Sequence, residues 1–243
     1  MDNNENNLPE SLPPEEQPPR LLGPMGKEAV FGWIYLIAHI FLLPPLLSAL
    51  SAAAPETVTV GISNVIYYAV GTVFTGIFFL RWLHRDYDEL MKSALRLIFC
   101  IILGYVIYKV LSYGAAMLME RLFPAAGADP NTDRILSLTG RDFVMLRAVA
   151  LFVGPVIEEI LFRGVVFGSL VRRSRGAAYL TSALLFAFYH VWQYALGDPA
   201  ALVHMIGYLP AGIVLCWCYE EGETLWTPIL LHMIINAAAF AAI

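Results

Sequence analysis

The sequence predicts an all-α fold, a polytopic bundle of about seven transmembrane helices around an interior polar cavity. Three observations lead there. Hydrophobic residues make up 58% of the chain and charged residues only 14%, against roughly 25% charged in soluble domains. Mean hydropathy is +0.65. Apolar runs of about 20 residues, the length that crosses a bilayer, recur along the chain. The later runs carry glutamates, an arginine and histidines, and an ionisable side chain at that depth generally faces the bundle interior or a water-filled cavity.

The elements follow in order. Residues 1–25 read as a disordered acidic, proline-rich tail, because six prolines and six acidic residues fall within residues 1–29. Such a segment cannot bury enough apolar area to offset its ordering entropy. No basic region precedes an apolar one, so the first span is expected to stay as an anchor. Span 1 is Val30–Leu50, which Pro44-Pro45 is expected to kink or end early. Span 2 is Val60–Trp82 and span 3 is Ala94–Leu118. The stretch Phe123–Asp142 reads as a loop with one interfacial turn around Ile135–Leu138. Span 4 is Phe143–Leu170, span 5 Ala177–Trp192, span 6 Ala200–Tyr219 and span 7 Leu225–Ile243. Three units result: the tail, a membrane half over 26–140, and a membrane core over 141–243.

Charge placement gives orientation. Arg81, Arg85, Lys92 and Arg96 follow span 2, and Arg172, Arg173 and Arg175 follow span 4. Basic loops stay in the cytoplasm, which puts the N-terminus inside and the C-terminus outside; the acidic proline-rich tail and the compact size would suit a bacterial cytoplasmic membrane. The basic residues are otherwise scattered, so no nucleic-acid partner is expected. Cys100, Cys216 and Cys218 lie in apolar runs and read as filler.

The polar residues inside the spans are Lys109, Arg147, Glu158, Glu159, Arg163, His190, His204 and His232, with His39 a weaker member. In "GPVIEEILFRG", Glu159 and Arg163 are four apart and share a helix face. Glu158 points roughly 100° away and has no partner within the motif. A carboxylate without a counter-charge in a partly dehydrated cavity suits a general base; the plainer reading is a structural ion pair. In "LLFAFYHVW", Phe186 and His190 share a face. In "LLHMIINAAA", His232 and Asn236 do so, as cavity groups or as interhelical glue. Counted from the inner ends, His232, His190 and Glu158 lie roughly 10 to 20 Å deep. That overlap in depth places an active site on the cytoplasmic side, opening to the cytoplasm.

"EEILFR" at Glu158–Arg163, "FAFYH" at Phe186–His190 and "HMIIN" at His232–Asn236 resemble, in that order, the three signatures of the CAAX-type intramembrane endopeptidases. That family is also called the Abi, bacteriocin-processing or CPBP family, and the likeness spans Phe143–Ala239. The resemblance implies hydrolysis of a peptide bond in a membrane-associated or lipid-modified peptide or protein. It also implies that the membrane core over 141–243 is the catalytic part, with 26–140 as its variable half. It implies catalytic roles for Glu158, His190, His232 and Asn236, with Glu159, Arg163 and Phe186 in support. Glu158 and His190 would activate a water, while His232 and Asn236 would donate to the oxyanion. A zinc-assisted variant would use Glu158, His190 and His232 as ligands. Two rivals remain: a non-catalytic membrane scaffold that keeps the polar cavity, and a proton-coupled transporter, for which no matched repeat is present.

Overall fold

The computed structural model describes residues 22–24, 26–92 and 94–242. These form helices, with no strand among the described residues. In chain order they are α1 (Lys27–Ala53), α2 (Val60–Phe78), α3 (Leu80–Lys92), α4 (Ala94–Leu122), α5 (Pro130–Ser137), α6 (140–170), α7 (Arg175–Ala195), α8 (Pro199–Gly222) and α9 (Trp226–Ala241). All but α3 and α5 correspond to the seven sequence spans. Among the described residues α1, α2, α4 and α8 are long and apolar enough to cross a membrane, and α9 is a shorter apolar helix. The helices α6, α7 and α9 carry the polar motifs.

Four details differ from the sequence reading. Pro44-Pro45 does not end the first helix. A π-helical turn, Ala38–Leu42, precedes the prolines, which then sit at the start of the next α-helical segment, Leu43–Ala53, where a missing N–H costs little. The connection after span 2 is helical: α2 stops at Phe78 and α3 follows one residue later. On α3, Trp82 and Asp86 are buried, four residues apart on one face. Asp86 accepts from Thr224 Oγ1 at 3.0 Å and from the Leu225 amide, so it caps the start of α9. The expected loop Phe123–Asp142 holds α5, because Asp129 caps it by accepting from the Thr132 amide at 3.1 Å and Pro130 fills its first position. Of the tail, residues 1–21 and 25 lie outside the described residues. Gly23, inside the expected tail, instead packs against Gly168, and its amide donates to Tyr219 Oη at 2.8 Å.

The outer surface is apolar. Ile98, Phe99, Ile102 and Val106 of α4 are exposed, as are Ile34 and Ile37 of α1. That suits contact with lipid. Lys109 and Arg147 are exposed as well and do not join the interior polar layer.

Two π-helical stretches, Val149–Val153 and Ile160–Phe167, interrupt α6 on either side of Gly154–Glu159. In the first, the Gly154 amide bonds to the Val149 carbonyl, five residues back. The next bond in that register would run from residue 155 to the Ala150 carbonyl, and Pro155 has no N–H to give. Asn236 Nδ2 of α9 donates to that carbonyl at 2.9 Å instead. Local widening of this kind is common at functional sites.

A packed cluster and a cavity draw on different residues of the bundle. The end that holds α3 and the Arg172–Arg175 connection is closed by a packed cluster. Phe79, Trp82, Ile160, Phe167, Tyr219 and Leu225 are all 3% exposed or less. The other end, with α5 and the α1–α2 turn, borders a cavity of about 900 Å³. The site therefore opens away from the basic loops. Depth along each span says how far in the polar residues lie, but only packing says which side is closed.

Close approach makes one glycine informative. A Cβ at Gly164 would overlap the Trp82 indole within the closed end, whereas one at Gly114 would meet open space. Gly164→Ala is expected to lower stability by about 1–3 kcal/mol, and Gly114→Ala to change it by no more than about 0.5 kcal/mol. Thermal melting in detergent checks this. Equal melting temperatures for the two variants would show that the closed end is loosely packed.

Candidate active site

The site is built around a buried ion pair. Glu159 and Arg163 are both fully buried on α6. Arg163 Nη1 donates to Glu159 Oε1 at 2.8 Å, as the four-residue spacing suggests. Arg163 Nη2 also donates to the Gly212 carbonyl of α8 at 3.2 Å, and the guanidinium lies 4.4 Å from the Phe186 ring centroid of α7. Phe186 thus supports the arginine as a cation–π partner. Gly212 makes the backbone contact possible, because α8 passes so close to Ala183 that a side chain there would collide with it.

The same carboxylate oxygen takes a second donor, which the sequence did not disclose. His232 Nδ1 donates to Glu159 Oε1 at 2.7 Å. A carboxylate only accepts, so the proton sits on Nδ1 and Nε2 of a neutral ring carries the lone pair. His232 is 3% exposed and stands at the floor of the cavity. Its Nε2 lies 3.9 Å from Glu158 Oε2. Two atoms at that separation can both hydrogen-bond one water at about 2.8 Å.

Glu158 is buried at 6% exposure and reaches the same cavity. Its Oε1 accepts from Tyr68 Oη of α2 at 2.7 Å. Tyr68 in turn meets Tyr189 Oη at 3.3 Å. Tyr67 Oη gives its one proton to the His39 carbonyl in the π-turn of α1 at 2.8 Å, and its oxygen lies 3.2 Å from Tyr189 Oη. Sequence reasoning missed these tyrosines. The available signal was "YY" at Tyr67-Tyr68 inside an apolar run, since buried tyrosine hydroxyls need partners.

His190 lines the cavity, with Nδ1 donating to the Phe186 carbonyl at 2.8 Å. A carbonyl only accepts, so this ring too keeps its lone pair on Nε2. Its face stacks on Tyr208 of α8, with centroids 4.5 Å apart. Tyr208 Oη donates to Asp129, the cap of α5, at 2.7 Å. The helix hidden in the expected loop therefore braces a site residue. His204 is buried and lines the cavity too. Asn236 also lines it, with one of its two amide N–H groups given to Ala150.

The resemblance makes Glu158, His190 and His232 a zinc set. As arranged they do not fit one: among the described residues no three His, Cys, Asp or Glu side chains come together with metal-site spacing. No step below runs through a metal.

The comparisons with known proteins bear on this half of the chain. Residues 140–238 match the profile described as type II CAAX prenyl endopeptidase Rce1-like. The matched stretch holds Glu158, Glu159, Arg163, Phe186, His190, His232 and Asn236. Among relatives, YdiL of Bacillus subtilis, a candidate membrane peptidase by its name, is 31% identical over 107 residues, 44% of this chain and 40% of its own length. The membrane-embedded CAAX protease MroQ of Staphylococcus aureus is 22% identical over 142 residues, 56% of this chain and 53% of its own. The UPF0177 protein YxdF of Lactococcus lactis is 27% identical over 92 residues, 37% of this chain and 45% of its own. The chain thus spans about half the length of the curated relatives it matches. No solved structure matches the chain. Helices α1 to α5, which supply Tyr68 and Asp129, precede the matched family residues.

The family residues divide by their surroundings. Arg163→Gln leaves Glu159 buried without its cation, and is expected to cost about 3–5 kcal/mol. Glu158→Gln keeps an acceptor for Tyr68 and is expected to hold the fold within about 1 kcal/mol. Thermal melting of the two purified variants tests the split. A larger loss from Glu158→Gln would exchange the structural and chemical roles.

Proposed function

We propose that the protein is an intramembrane endopeptidase that hydrolyses a peptide bond in a membrane-associated or lipid-modified peptide or protein. The observation that carries this reading is the facing pair of Glu158 Oε2 and His232 Nε2, 3.9 Å apart at the floor of a cavity of about 900 Å³. Glu159 fixes the tautomer and direction of His232, as a carboxylate does behind a catalytic imidazole. The match of residues 140–238 to the profile of CAAX prenyl endopeptidases supports the same chemistry.

In this reading a water rests between Glu158 Oε2 and His232 Nε2. Glu158 takes one of its protons as the oxygen adds to the scissile carbonyl carbon. The proton then passes to the leaving nitrogen as the C–N bond breaks. The developing oxyanion needs donors. The second N–H of Asn236, on the cavity wall, has that capacity.

Access completes the proposal. The cavity opens at the end away from Arg172–Arg175, and basic loops stay in the cytoplasm. The N-terminus then lies in the cytoplasm and substrate enters from the opposite, outer face. The sequence expectation of a cytoplasmic opening gives way here, because the packed cluster around Phe79 and Trp82 closes that route.

Two experiments test these statements. A strain carrying Glu158→Gln should accumulate an uncleaved membrane-associated peptide or protein that the parent processes, as read by proteomics. An unchanged proteome with normal protein levels would favour the scaffold reading. Purified protein that hydrolyses this substrate should keep turnover after chelation, and stoichiometric zinc whose removal abolishes turnover would install a metal at the site. For access, Asn131→Cys should react with an impermeant thiol reagent in intact cells, and Arg173→Cys only after the membrane is opened. The reverse pattern would invert the orientation.

A further inference from the structure

We infer that Tyr68, on α2, is a positioning residue that holds one oxygen of Glu158 so that the other is offered to the reacting water. The inference rests on the hydrolase reading for its chemistry and on geometry for its placement. Tyr68 lies outside the matched family residues, yet its hydroxyl donates to Glu158 Oε1 at 2.7 Å. That is the short, charge-assisted range for an O–H donor to a carboxylate.

A carboxylate on a flexible side chain in a roomy cavity has two equivalent oxygens and can rotate. Occupying Oε1 removes that freedom. Oε2 is then left beside His232 Nε2, at 3.9 Å. The donor is itself held. Tyr189 Oη lies 3.3 Å from Tyr68 Oη and 3.2 Å from Tyr67 Oη, and Tyr67 Oη donates to the His39 carbonyl. The Tyr67 ring stacks on His39 at 4.2 Å. The chain of hydroxyls ends in the π-turn Ala38–Leu42, the stretch that lets α1 run on into Pro44-Pro45. In this way α1 and α2, which carry no family signature, complete the site that α6 and α9 begin.

The experiment uses full-length protein in nanodiscs, labelled with carbon-13 in glutamate side chains. The Glu158 carboxyl signal is the one lost in Glu158→Gln. Tyr68→Phe removes one oxygen and keeps the ring; it should move that signal. Tyr108→Phe, on another wall of the cavity, should leave it in place. With the peptide recovered uncleaved from the Glu158→Gln strain, Tyr68→Phe should lower kcat by about 10- to 100-fold, the scale of a misplaced reacting group, with KM within about twofold. A purely structural tyrosine would instead lower the amount of folded protein and leave kcat per folded molecule unchanged. Should Tyr68→Phe fail to fold, the reciprocal measurement uses intact Tyr68: its ring carbon bearing the hydroxyl should shift in Glu158→Gln. If the wild type cleaves nothing, the hydrolase reading falls while the carboxyl shift still reports the hydrogen bond. An unmoved Glu158 signal in Tyr68→Phe, or a raised KM with unchanged kcat, overturns the inference.

Discussion

One carboxylate oxygen holds the interior together. Glu159 Oε1 receives both Arg163 Nη1 and His232 Nδ1, so a single fully buried atom joins α6 to α9. Arg163 extends the joint to the α8 backbone at Gly212 and to the Phe186 ring of α7. Four helices thus meet at one buried charge pair. Removing either charge from such a pair is far more costly than the net gain of having it, which ties the geometry of the imidazole to the integrity of the core. Elements usually treated separately, a structural ion pair and an oriented histidine, are here one arrangement.

The membrane character and the helical bundle were legible because apolar run length is a local property. The pairing of Glu159 with Arg163 was legible too, since four-residue spacing on a helix fixes it. What escaped was set by contacts between distant segments. No spacing rule joins Glu159 to His232 or Tyr68 to Glu158. The helix Leu80–Lys92 looked like a loop because its charged residues dominate its composition, and its buried face of Trp82 and Asp86 acquires meaning only against Thr224 and Leu225. Pro44-Pro45 misled for a related reason. A proline's disruption depends on the register it enters, and a π-turn upstream resets that register.

The placement of the cavity shows how topology and packing divide the work. Alternation of the spans sends one end of each helix to each face, so the depth of a polar residue is readable from sequence. Whether water reaches it is not. The aromatic cluster around Phe79, Trp82 and Tyr219 fills one end, while the polar side chains of α5 and the α1–α2 turn leave the other end open. A chain with the same motifs and a smaller residue at Trp82 would carry the same polar layer with a different route to it.

The cap on α9 has a consequence for biogenesis. Asp86 meets Thr224 and Leu225, which lie more than a hundred residues further along the chain. The helix that they begin is the one that brings His232 to Glu159 and Asn236 to the Ala150 carbonyl. Until that helix inserts, Glu159 has its arginine but not its imidazole, and the widened turn of α6 lacks its donor. The polar layer is therefore complete only once α9 has packed against α6, and a chain in which that helix has yet to insert carries no finished site.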